Sequence, residues 1–118
     1  MSTAATIAIV VVGLLHVYFL VMEMFLWTKP AGLKAFGLTP ERAQDSKVLA
    51  ANQGLYNGFL AAGLFWSLTL GEEGRAVAIF FLSCVFIAGV FGGITASRKI
   101  LFVQAVPALI ALLLVLFA

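Results

Sequence analysis

The stretch TAATIAIVVVGLLHVYFLVMEMFLW, Thr3 to Trp27, decides the class of this protein. It is longer than the about 20 apolar residues that a helix needs to cross about 30 Å of hydrocarbon. Within it lie the chain's single histidine, His16, and, seven positions later, a carboxylate, Glu23. A carboxylate at membrane depth is costly, so Glu23 marks a candidate functional site. Seven helical residues turn through roughly 700°, which puts His16 and Glu23 within about 20° of one another and about 10 Å apart along the axis. One helix face therefore presents both. No Lys or Arg precedes the run, and it exceeds the about 7–15 apolar residues of a cleavable signal, so it is expected to remain as a helix in the mature protein.

Outward from this segment the composition repeats the message. The 118 residues are 64% hydrophobic and 10% charged, and the mean hydropathy is +1.16. Soluble domains are about 45–50% apolar and about 25% charged. Four apolar stretches account for nearly the whole chain, with helices expected at about 3–27, 40–70, 76–96 and 100–118 and a cytoplasmic loop at 28–39. The expected fold is all-α: a single polytopic membrane domain over 1–118, built as an up-down bundle of four transmembrane helices.

The charges set an orientation. Lys29, Lys34, Arg42 and Lys47 lie between the apolar stretches Thr3–Trp27 and Val48–Leu70, Arg98 and Lys99 between Ala76–Ala96 and Ile100–Ala118, and Arg75 alone lies on the other side. The positive-inside rule then puts both termini on the outer side. The net charge of +2 follows from those loops, and Glu41 and Asp45 interrupt the basic segment, so nucleic acid is not an expected partner. Cys84, alone within an apolar run, reads as a packing residue.

Local signals place the helix ends. Pro30, Gly32 and Gly37 break the long loop, and the Leu33-Lys34-Ala35-Phe36 patch suits the membrane interface. Thr39 and Pro40 read as N-cap and first helical residue, with Glu41 in the first turn. Gly71 ends the second span, and Glu72-Glu73-Gly74-Arg75 turns into the third. Gly54 and Gly58, like Gly89 and Gly93, recur at four and allow close helix approach; the expected use is packing within the bundle, with homodimerisation the alternative.

With this orientation Glu23, Asn52, Gln53, Tyr56, Asn57 and Gln104 all fall in the cytoplasmic half of the bilayer, whereas the outer halves are almost wholly apolar. A polar pocket in the cytoplasmic leaflet is expected. Asn52 and Tyr56 are four apart, as are Gln53 and Asn57, so the second span presents two polar ridges around Gly54. Pro107 frees a carbonyl one turn earlier, near Gln104, and predicts a distortion there. Trp27 suits the interfacial aromatic belt and stands at the rim of the same group. One His and one Cys far apart make no zinc site, and neither a phosphate loop nor another cofactor pattern is present.

The pattern His16-x6-Glu23-x3-Trp27, then Asn52-Gln-Gly-x-Tyr-Asn57, a Gly-rich third helix and Gln104-x2-Pro107 resembles a bacterial family of small four-helix integral membrane proteins classed as a domain of unknown function. The resemblance covers essentially the whole chain. It implies a fold and a bacterial inner-membrane location, with no activity attached.

Two functions suit these residues. In the first, the protein binds or transports a small molecule, with Glu23 taking a cationic or polar group or a proton, and with Asn52, Gln53, Tyr56, Asn57, Gln104 and Trp27 as the ligand-binding set. A homodimer would enlarge the volume that four short helices enclose. In the second, an intramembrane enzyme acts on an apolar substrate with Glu23 and His16 as catalytic acid and base, in a proton transfer or isomerisation. Membrane lipid surrounds the protein in either case.

Overall fold

The computed structural model describes all 118 residues, Met1–Ala118. The chain is all-helical, with five helices in chain order: α1 (Thr3–Met24), α2 (Pro30–Phe36), α3 (Pro40–Thr69), α4 (Gly74–Thr95) and α5 (Arg98–Phe117), the last containing a π-helical turn at Leu101–Ala105. Three of the helical segments are long and apolar enough to cross a membrane: α1, Gly71–Thr95, and α5. The longest helix, α3, is not one of the three. Its first turns carry Glu41, Arg42, Asp45 and Lys47, and Asn52 and Gln53 follow, so the apolar run starts only at Leu55 and still contains Asn57.

The helix ends follow local chemistry. Thr39 Oγ1 accepts the Arg42 N–H at 3.2 Å, so the N-cap and the Pro40 start stand where the sequence predicts. The first helix stops at Met24, three residues short of Trp27: the Phe25 and Leu26 N–H groups both turn back to the Val21 carbonyl, at 3.0 and 3.2 Å, and the chain leaves the helix. Pro30 then holds Lys29 extended, at φ −87° and ψ 162°, and starts α2 as its first residue. Most of the expected loop is thus a short helix. It ends at Gly37, whose φ of 63° is open to glycine at no steric cost, and the Leu38 N–H returns to the Leu33 carbonyl at 2.9 Å.

The helices gather into two compact units, Leu14–Phe59 and the combination of Met1–Gly13 with Leu60–Ala118. The larger unit is filled by Ala5, Ile9 and Val12 of α1, Leu64 of α3, Ala78, Leu82 and Val85 of α4, and Ala108, Ala111 and Val115 of α5. Alanine recurs at these contacts because small side chains let helix backbones approach, which dispersion needs when lipid is as apolar as the helices themselves. Gly89 is the tightest case on α4. A Cβ there would lie 2.6 Å from the Ala105 nitrogen and 2.8 Å from its Cα, and Gly93 lies similarly close to Leu101. The Gly89/Gly93 pair is therefore used inside the chain.

The contact falls on the π-helical turn of α5, where the Val106 N–H bonds the Leu101 carbonyl. Pro107, next in the chain, has no N–H to give, and its ring crowds the preceding turn. The distortion expected near Gln104 takes the form of this widened turn. Replacing Gly89 by Val puts new atoms against backbone that cannot yield, with an expected loss of about 1–3 kcal/mol. Thermal unfolding of the solubilised protein measures it, with Ala88→Val, at an exposed neighbouring position, expected to be near neutral.

Candidate functional site

The unit Leu14–Phe59 holds the polar residues singled out by the sequence, apart from Gln104. Glu23 lies in the last turn of α1, and Asn57 lies in the middle of α3, buried to 5% exposure. The Asn57 Nδ2–H donates to Glu23 Oε1 at 2.5 Å. A carboxamide donating to a carboxyl oxygen is among the stronger side-chain hydrogen bonds when the acceptor is ionised. The other oxygen, Oε2, makes no hydrogen bond and is not sealed from its surroundings. Glu23 is thus held at one oxygen and open at the other.

Two glycines permit the meeting. A Cβ on Gly54 would lie 2.6 Å from Met24 Cγ and 3.1 Å from Glu23 Cβ, and one on Gly58 would lie 2.7 Å from Leu20 Cδ1. The short distance between α1 and α3 at this level brings the short carboxamide side chain within reach of a carboxylate. Along α3 the inward stripe is Ala43, Ser46, Ala50, Gly54, Asn57, with spacings of 3, 4, 4 and 3. Asn57 is the one residue of that stripe able to donate an amide N–H from its side chain.

Ser46 ties the next layer together. Trp27 Nε1–H donates to Ser46 Oγ at 3.0 Å, and Ser46 Oγ–H donates to the Arg42 carbonyl at 2.7 Å. The Trp27 ring packs on Phe36 with centroids 4.8 Å apart, so the end of α1, α2 and the start of α3 form one corner. Gly32 of α2 lies directly under the Leu26 and Trp27 carbonyls, where any Cβ would collide with backbone. Sequence reasoning missed Ser46. Its place in the small-residue stripe and its single hydroxyl were the available signals.

The other expected site residues of this unit take no part in the Glu23–Asn57 hydrogen bond. His16 is fully buried, with its ring edge-on to Phe19 at 5.2 Å and 74°. It lies two turns, about 10 Å, from Glu23 along α1. Asn52, Gln53 and Tyr56 are exposed on the outer side of α3, Tyr56 with its ring 6.2 Å from that of Phe59. Gln104 belongs to the other compact unit, half-buried in the π-helical turn. No three His, Cys, Asp or Glu side chains gather where they would hold a metal ion.

Fold and site together define a small, all-helical, membrane-compatible protein with a carboxyl–carboxamide pair between two of its helices. The family model "Protein of unknown function (DUF1304)" matches residues 10–116, and the chain belongs to that family. It is 25% identical over 115 residues to the uncharacterized protein YpaA of Lactococcus lactis subsp. lactis (strain IL1403), a match that covers 96% of this chain and 97% of that one. No solved structure matches it.

Two substitutions separate the layers of the site. Trp27→Phe keeps the ring on Phe36 but removes the donor to Ser46, with an expected cost of about 1 kcal/mol in thermal or denaturant unfolding. Gly54→Val pushes α1 away from α3 and is expected to cost more, about 1–3 kcal/mol, while also releasing the Glu23–Asn57 contact. Equal stability of Gly54→Val and wild type would contradict the close approach.

Proposed function

We propose that this protein crosses the bacterial inner membrane four times with both termini outside, and binds a small molecule bearing a cationic or hydrogen-bond-donating group at Glu23 in the cytoplasmic leaflet. The observation that carries this reading is the half-engaged carboxyl: Asn57 holds Oε1, and Oε2 is left to accept from something else. A fixed carboxylate with one open oxygen suits an ammonium, an amide N–H or a proton, and the fixed geometry reduces the ordering cost of binding.

Several features support the membrane arrangement. Helix α3 has 30 residues, about 45 Å at 1.5 Å per residue, which exceeds the hydrocarbon thickness and leaves its charged first turns in water. The six Lys and Arg residues on the proposed cytoplasmic side, Lys29, Lys34, Arg42, Lys47, Arg98 and Lys99, against Arg75 support the orientation. The Trp27–α2 corner, with Phe36 packed on the indole, suits a seat at the headgroup level. Transport coupled to a proton at Glu23 is the fuller form of the same reading.

A catalytic pairing of Glu23 with His16 has less support, because the imidazole is enclosed against Phe19 and lies about two turns away. The binding reading is tested by native mass spectrometry of gently solubilised protein. A co-purifying small molecule is expected on wild type and on Glu41→Gln, whose carboxylate lies in the exposed first turn of α3. It is expected to be lost from Glu23→Gln. Equal retention by Glu23→Gln would remove Glu23 from the role.

A further inference from the structure

Helix α3 carries a second seam on the side away from Asn57. Asp45, Leu49, Asn52, Tyr56 and Phe59 follow one another at spacings of 4, 3, 4 and 3, the a/d repeat of a coiled coil. All five are exposed, Leu49 at 74%, Tyr56 at 50% and Phe59 at 57%. Counting about 20 residues back from Thr69 places Asn52, Tyr56 and Phe59 within hydrocarbon, Leu49 at its edge and Asp45 in water. The exposed large side chains of α4 and α5, such as Ile87, Phe91 and Leu113, are apolar and suit lipid. Asn52 does not: lipid tails offer nothing to its N–H and C=O groups, and an unpaired carboxamide there is costly.

A carboxamide is both donor and acceptor, so the group that matches Asn52 is another carboxamide. Every copy of the chain inserts with the same orientation, so two α3 helices related by a two-fold axis along the membrane normal run parallel, with each seam residue at the depth of its counterpart. A lone Asn at a core position of a parallel pair is the arrangement that sets register and selects two strands. We propose that the protein is a parallel homodimer joined along α3 through Leu49, Asn52, Tyr56 and Phe59, with the two Asn52 side chains hydrogen-bonded to each other. The proposal rests on the reading that α3 spans the membrane. It leaves Gly54, Gly58 and Asn57 on the opposite face, engaged with α1 of their own chain.

Single cysteines at Leu49, Tyr56 or Ile87, each in a Cys84→Ala background, test this in native membranes with a short bismaleimide. Covalent dimers are expected from Leu49→Cys and Tyr56→Cys and not from Ile87→Cys, which is 65% exposed on α4. Adding Asn52→Leu is expected to lower the Leu49→Cys yield several-fold. No dimer at the seam positions, an equal yield at Ile87→Cys, or a wild-type chain that native mass spectrometry finds as a monomer carrying lipid would overturn the proposal. A membrane-impermeant maleimide reads the span separately. If Tyr56→Cys is shielded from it but does not crosslink, the dimer alone fails. If Tyr56→Cys is labelled freely, the spanning reading of α3 fails and takes the dimer with it.

Discussion

The hydrogen bond from Asn57 to Glu23 is the constraint on which the smaller unit depends. In the proposed membrane arrangement an apolar residue gains little by facing another helix rather than lipid, so α1 and α3 would need a polar contact or close packing to prefer each other. They have both. Gly54 and Gly58 let the backbones approach, and that approach sets the reach at which a carboxamide meets a carboxyl. Removing either glycine or either polar partner weakens the other. In the proposed four-span arrangement, the same bond makes an intramembrane carboxylate tolerable while leaving one oxygen for a ligand or a proton.

The corner at the end of α1 complements that bond. Trp27, Phe36, Gly32 and Ser46 lock three helix ends together through one indole hydrogen bond, one ring contact and one position where only glycine fits. Because Trp27 is four residues beyond Glu23, the corner fixes where α1 stops and hence where Glu23 sits in its last turn. A change in α2 would then be felt at the carboxyl group through geometry, without a contact between them.

The long apolar runs, the Thr39–Pro40 start and the small-residue faces were legible in the sequence because each depends on local composition and helical period. Glu23 and Asn57 were legible as candidates because polar side chains are rare in these runs. The amides of the second span were legible as partners for Glu23, but not which of them bonds it: Asn52, Gln53 and Asn57 stand on different sides of α3, and which side meets α1 depends on packing. The end of α1 at Met24 was hidden for a related reason: neither Phe25 nor Leu26 is a helix breaker, and Trp27, beyond the helix, bonds Ser46 across the fold. Ser46 offered only its place in the small-residue stripe and its single hydroxyl, which a solvated serine can also show.

The most direct measurement is a double-mutant cycle on Glu23→Ala and Asn57→Ala, followed by unfolding in mixed detergent. A coupling of about 0.5–2 kcal/mol is expected, with the double variant little worse than the more damaging single one. Strictly additive losses would mean that Glu23 and Asn57 act independently, and would contradict the dependence of the smaller unit on their hydrogen bond.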